Sequence, residues 1–384
     1  MDVSDQGSPL RTRNSGEQHV TPLELFFDLV YVFAVTQLSH LLLDYLSIRG
    51  ALETLFLLLA VWWAWVYTAW FTNWFDPDQL PVRLVLVAAM LASLLMSVAI
   101  PEGFGERGLM FALAFVAIQV GRTAFAVLAL YGASHPLSGT FWRILAWLVA
   151  GGVLWVAGGL VEGGARYVLW LLALAVDYAG PVMRYMTPGL GSSRTEEWTI
   201  EGTHFAERCQ LFIIIALGES ILVTGTTFGE TEASAVTVCA FVVTFLSSVA
   251  LWWIYFARSA EAAREVFTSS EDPGRLGRSA YTYFHLPMVA GIIAVAAADE
   301  LTVAHPGELG TLASITLTLG GTALFLAGHA LFKWAVFGVL PWSRAVAVAA
   351  LIALIPVGFA IPALALSGAA GLIVVGLAAW DTLA

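Results

Sequence analysis

Long apolar runs separated by short polar connections organise the whole chain. They fall near residues 22–45, 51–72, 82–100, 109–131, 140–160 and 166–187, and again near 203–225, 234–257, 281–299, 311–336, 343–365 and 368–383. An α-helix needs about 20 apolar residues to cross a bilayer core. The pattern therefore predicts an all-α, polytopic membrane helix bundle of about twelve transmembrane helices. The last run is short and broken by glycine, which leaves eleven spans open. The two long connections are 187–203 and 257–280. Residues 1–20 are polar and lack the basic start and small-residue cleavage site of a signal peptide. They read as a flexible cytoplasmic tail, and the first run stays in the mature protein as a signal anchor.

Composition sharpens this picture. Of the 384 residues, 59% are hydrophobic and 12% are charged, against about 25% charged in soluble domains. That balance excludes a water-soluble enzyme, a disordered chain and a small disulfide-stapled domain. The net charge of −11 argues against a nucleic-acid partner, because phosphate binding requires a basic face. Arginine and lysine set the orientation. With the N-terminus inside, the inner segments hold Arg11, Arg13, Arg83, Arg143, Arg184, Arg194, Arg208, Arg258, Arg264, Arg275, Arg278 and Arg344, and the outer loops only Arg49, Arg107 and Arg166. Both termini are thus predicted to be cytoplasmic. Trp70 and Trp74 fit an interfacial aromatic belt. Cys209 and Cys239 have no metal-binding spacing and read as small apolar fillers.

Landmarks recur in order along the two halves: Trp62-Trp63 and Trp252-Trp253, Leu80-Pro81 and Leu286-Pro287, Gly121-Arg122 and Gly328-His329, Val176-Asp177 and Trp380-Asp381. They predict two parallel six-helix repeats, 21–187 and 203–384, joined by a cytoplasmic linker at 188–202. Sites in such folds lie near the midplane.

A charged group at the bilayer centre costs roughly 2.5–3.5 kcal/mol on insertion scales, so buried ionisable residues are the default site candidates. In the first span, Thr21-Pro22-Leu23-Glu24 has the form of a capping box. Asp28 lies one turn further in, and Glu24, Asp28 and Tyr31 share a helical face. Gln37 and His40 add polarity near the other end. In the seventh span, His204, Glu207 and Arg208 cluster at the cytoplasmic end, while Glu219, beside Ser220, lies about 16 Å deeper. Arg122 and Asp177 are also deep, and can pair with each other or with Asp28 and Glu219. A buried ion-pair network that only fixes helix packing is the competing reading. In the tenth span His329 and Lys333 are one turn apart, with Lys333 near enough to the inner end to snorkel. His285 reads as an interface residue, and Asp299, Glu300 and His305 as solvated groups at the outer mouth. Gly151-Gly152 and Gly158-Gly159 read as close helix packing. No zinc-protease, nucleophile-elbow, P-loop or dinucleotide motif is present, so no enzymatic activity, cofactor or metal is expected.

The segments TPLELFFDLVYVFAVTQLSHLL, HFAERCQLFIIIALGESIL and YTYFHLPMVAGII together resemble the bacterial low temperature requirement A family. The resemblance covers about residues 20–380. It implies a multi-pass inner-membrane protein associated with growth in the cold, without an established substrate or reaction. Its motif positions here are Glu24, Asp28, Gln37, His40, His204, Glu207, Arg208, Glu219, Ser220, His285 and Pro287. Phe26-Phe27-Asp28 also resembles the Phe-Ser-Asp element of endolysosomal potassium channels built from two six-helix repeats, although Leu211-Phe212 stands where the second copy would be; this likeness is one of fold only.

The leading functional expectation is a proton- or ion-coupled secondary transporter of unknown solute. Asp28, Glu219, Arg122, Asp177 and Glu24 would couple the ion, and Tyr31, Gln37, His40, His204, Glu207, Arg208, Ser220 and His329 would line the path. The alternatives are an ion channel of two six-helix repeats and a non-transporting scaffold or stress protein. The expected partners are membrane lipid and a small solute or ion, with a homo-oligomer left open.

Overall fold

A computed structural model describes residues 9–11, 18–131, 135–193 and 200–383. Most of the tail read at 1–20, including Arg13, and part of the linker, including Arg194, lie outside the described residues. Within that tail the structure differs at one point: Leu10 bridges Phe75, and the Arg11 amide donates to the Trp74 carbonyl.

The first six helices are α1 Pro22–Asp44, α2 Ile48–Trp74, α3 Leu80–Ala99, α4 Gly108–Ala129, α5 Leu137–Leu160 and α6 Gly164–Val182. After them come α7 Gly202–Glu230, α8 Ala235–Phe256, α9 Ser259–Thr268 and α10 Pro273–Leu276. The chain closes with α11 His285–Ala304, α12 Leu312–Ile315, α13 Gly321–Phe337, α14 Trp342–Gly358 and α15 Ala363–Leu383. No strand forms among the described residues. Two π-helical segments, Gly277–Tyr283 and Thr316–Gly320, lead into α11 and α13. Among the described residues, ten helical segments are long and apolar enough to cross a membrane. The chain is a multi-pass helical membrane protein. The final run, which sequence left open, is a 21-residue helix within that set, whereas α6 and the 17-residue α14 fall outside it. The long connection 257–280 is itself largely helical.

Local sequence explains the boundaries. Thr21 and Glu24 cap α1 reciprocally: the Thr21 amide donates to Glu24 Oε2 at 2.9 Å, and the Glu24 amide donates to Thr21 Oγ1 at 3.4 Å. Ser234 and Thr237 do the same for α8. Pro81 stands in the first turn of α3, where its missing N–H has no intrahelical role. At the end of α13, Gly338 adopts φ 73°, a left-handed cap that a side chain would strain.

Polarity is arranged for lipid. Helix α8 exposes Val242, Phe245 and Leu246 while burying Thr244 and Ser248; α3 exposes Leu84, Leu91 and Leu94 while burying Ser93 and Ser97. A helix in a bilayer gains nothing by hiding apolar surface from hydrocarbon, so its interior face can be the polar one.

Two compact units divide the chain. The first comprises Met1–Gln37, Phe56–Phe205 and Asp272–Arg275, and the second Leu38–Leu55, Ala206–Glu271 and Leu276–Ala384. In the first, α4 packs on α3 and α5, and α5 on α6. Helix α2 is mostly buried and bonds to α1, α4 and α6. Trp70 and Trp74, expected at the interface, are buried against Phe205 and Phe141, because α2 is flanked on several sides. In the second, α11 packs on α8, α13 and α15, and α15 on α8 and α14.

Glycine sets the closest helix approach, as the paired glycines of α5 predicted. A Cβ on Gly158 would stand 2.3 Å from the Trp170 ring, and one on Gly151 would stand 2.8 Å from Asp177 Oδ1. Gly158→Ala is expected to destabilise the protein by about 1–3 kcal/mol through overpacking. Thermal unfolding in detergent, with solvent-exposed Gly164→Ala as the control, measures it.

Candidate functional site

In the first unit the polar side chains are ordered along α2. At its last turn, Asn73 Nδ2 donates to His204 Nδ1 at 3.2 Å and to the Glu201 carbonyl at 2.9 Å. Nδ1 is then an acceptor, and Nε2 lies 2.8 Å from Glu24 Oε1 and 3.2 Å from Arg11 Nη2. Arg11 Nη2 donates to Glu24 Oε2 at 3.0 Å. Glu201 holds His204 in place by capping α7, accepting from the Thr203 and His204 amides. Glu24 thus serves both as the cap that its spacing predicted and as the anion of a fully buried cluster.

Deeper on α2, Thr68 accepts from Arg122 Nη1 at 2.7 Å. Trp65 Nε1 donates to Asp28 Oδ1 at 2.8 Å. From Asn73 to Trp65 the file runs about 12 Å along the helix axis. Asp28 is buried, and Tyr31, one turn on, shares a hydrogen bond with Ser93 of α3 at 3.0 Å.

Among the described residues Arg122 meets no carboxylate. Its guanidinium donates to Thr68 Oγ1, to the Ala64 carbonyl and to Gln119 Oε1 at 2.6 Å, and it lies over the Tyr67 ring. Among the described residues these partners are all neutral. Asp177 is similar: Trp155 Nε1 donates to its Oδ2 at 2.8 Å, and no cation reaches it among the described residues. The ion pairing that sequence allowed between Arg122 and Asp177 is absent, because each finds a neutral partner on a neighbouring helix. Tyr67 and Tyr185 share a hydrogen bond nearby on α2 and the segment after α6.

In the second unit the centre is a residue that sequence assigned elsewhere. Asp299, read as a solvated mouth residue, is buried in α11, which continues beyond it to Ala304. Ser220 Oγ donates to Asp299 Oδ2 at 2.9 Å and lies 2.9 Å from Ser248 Oγ. Glu300 is half-buried and interacts electrostatically with Glu219, Glu230, Asp44 and His40. Glu219 is itself buried. The segment Leu301-Thr302-Val303-Ala304, apolar at three of four positions, was the signal in the sequence that the helix runs on past Asp299.

Elsewhere in this unit His285, read as an interface residue, is fully buried. It donates from Nδ1 to the Ala280 carbonyl, so its Nε2 accepts from the Tyr255 hydroxyl at 2.7 Å. His329 is also fully buried and accepts from Arg344 Nε at 3.4 Å. Arg344 pairs bidentately with Asp381, Nη1 to Oδ1 at 2.6 Å and Nη2 to Oδ2. Arg208 is buried and Glu207 half-buried on α7. Gln37 is half-buried and His40 exposed on α1. The structure therefore gathers Glu24, Asp28, Arg122 and His204 along α2, sets Tyr31 against α3, and places Ser220 with Asp299 in another cluster.

The profile of the bacterial low temperature requirement A protein matches residues 19–379. The chain belongs to the bacterial low temperature requirement A family. A protein of Rhizobium meliloti (strain 1021), itself described as uncharacterized, is 40% identical over 383 residues, covering 98% of this chain and 92% of that relative. No solved structure matches. Every polar cluster described above falls within the family region except the contacts of Arg11, which reach it from outside.

Proposed function

We propose that this member of the low temperature requirement A family is an ion-coupled secondary transporter of the bacterial inner membrane, with both termini cytoplasmic. One contrast carries the reading. Where the fold needs charge as glue it pairs it, as in Arg344–Asp381 and Arg11–Glu24. Arg122, Asp177 and Asp299 are as deeply buried, yet among the described residues they meet only neutral partners. Stranding a charge in low dielectric costs several kcal/mol. Carboxylates held so are suited to taking up a mobile proton or cation. Asp28 and Glu219, both buried on helices flanking these groups, are assigned to the same pathways within their own units. The inward excess of arginine supports the orientation, and the ordered landmarks support a duplication of six helices.

The test is flux into proteoliposomes under imposed proton and sodium gradients, followed with pH- and cation-sensitive dyes. A transporter is expected to move cation at a fixed ratio to proton or co-substrate, with a reversal potential that depends on both gradients. Flux no greater than in empty liposomes under any gradient would contradict the proposal. Unitary currents in planar bilayers with no coupling would assign a channel instead.

A further inference from the structure

We infer that Asp299 is the carboxylate of a site for a dehydrated monovalent cation, with sodium preferred over potassium, within the second unit. The inference rests on the reading of the chain as ion-coupled and names the ion.

The geometry is that of a small coordination site lined by one carboxylate and several hydroxyls. Asp299 opens onto a cavity of about 20 Å³ that is also lined by Ser247, Thr318, Thr322 and Ser367. A space of roughly 10–15 Å³ suffices for one water-sized occupant, so this one has room for a single water or a bare ion. The lining hydroxyls are in an unusual state. Thr322 Oγ1 donates to the Thr318 carbonyl and Ser247 Oγ to the Val243 carbonyl, so both oxygens keep lone pairs for the cavity. Thr318 Oγ1 and Ser367 Oγ, on residues 9% and 4% exposed, have no hydrogen-bond partner among the described residues. Both residues line the cavity beside the one carboxylate, which leaves the lone pairs of their oxygens free for an occupant.

Charge selects that occupant. Asp299 receives one hydrogen bond, from Ser220 to Oδ2, and no cation pairs with it among the described residues. One negative charge surrounded by neutral oxygens suits a monovalent cation. Divalent ions want more carboxylates, or waters that this space does not hold. The few short side chains that ring so small a volume favour the smaller alkali ion.

The backbone supports the same conclusion. Thr318 sits in the π-helical segment Thr316–Gly320. Single π turns within α-helices occur often at functional sites, because the extra residue redirects side chains. Thr318 and Thr322, four residues apart, both line the cavity.

Sodium-22 binding to the purified full-length protein in detergent tests the site, with thermal stabilisation by sodium as a second reading. Saturable binding is expected, displaced by lithium better than by potassium. Asp299→Asn is expected to abolish it. Thr318→Val and Ser367→Ala, which preserve shape and charge, are expected to weaken it at least about tenfold while leaving unfolding in sodium-free buffer unchanged. The absence of saturable binding in the wild-type protein, meaning a bound water only, would overturn the inference, as would wild-type affinity in all three variants. Binding without gradient-driven flux would keep the site and sink the transport reading. Proton-driven flux without sodium binding would do the reverse.

Discussion

Arg344→Met is expected to lower the unfolding free energy by about 2–4 kcal/mol, less than the full cost of removing one partner from a buried ion pair, because the Asp381 side chain is 20% exposed. Arg344 is almost fully buried, and its guanidinium forms two parallel bonds with the Asp381 carboxylate. A planar fork matched to a carboxylate is the strongest arrangement the two side chains can make. Methionine fills the space but leaves Asp381 without its cation and His329 without its donor. The double variant Arg344→Met with Asp381→Leu is expected to recover most of the loss, since replacing both charges by apolar groups is often neutral. Chemical or thermal unfolding in a single detergent, run on the wild type, both single variants and the double variant, closes the cycle. A coupling energy below about 0.5 kcal/mol would show that the pair does not act as one unit.

Arg122→Met is expected to behave in the opposite way. No carboxylate is stranded by the change, because the partners of Arg122 are Thr68, Gln119, the Ala64 carbonyl and the Tyr67 ring. The loss of those hydrogen bonds costs about 1 kcal/mol each net. It is offset by no longer holding a guanidinium in low dielectric. Stability is therefore expected to stay within about 2 kcal/mol of the wild type. Gradient-driven flux is expected to fall at least about tenfold, equivalent to about 1.4 kcal/mol on the barrier. Arg122→Lys keeps the charge but not the two-pronged geometry and is expected to retain part of the flux. Severe destabilisation of Arg122→Met with flux per folded molecule intact would make this arginine a structural element.

Much of this was legible in the chain because the bilayer imposes a simple rule. Apolar runs must be helices, and an ionisable residue inside one must face other protein. Glu24, Asp28, Arg122, Asp177 and Glu219 stood out for that reason, and all five are buried. Their partners did not stand out. Thr68, Trp65, Gln119 and Trp155 are neutral residues of common types, and only the packing of α2, α4, α5 and α6 selects them. Asp299 was misplaced because an aspartate followed by a glutamate resembles the polar end of a run, whereas the helix extends one more turn. Trp70 and Trp74 matched a membrane belt by residue type. Which face of α2 they occupy is decided by Phe205 and Phe141, far along the sequence.

Asparagine at positions 177 and 299 addresses the central claim most directly. Each substitution is isosteric and retains a carbonyl oxygen for Trp155 or Ser220. The measurement is initial ion-driven flux in proteoliposomes, normalised to folded protein, for the wild type, Asp177→Asn and Asp299→Asn. Both variants are expected to fold normally and to carry no more flux than empty liposomes. Wild-type flux in both, with unchanged dependence on the driving gradient, would contradict the account and leave these carboxylates as part of the packing.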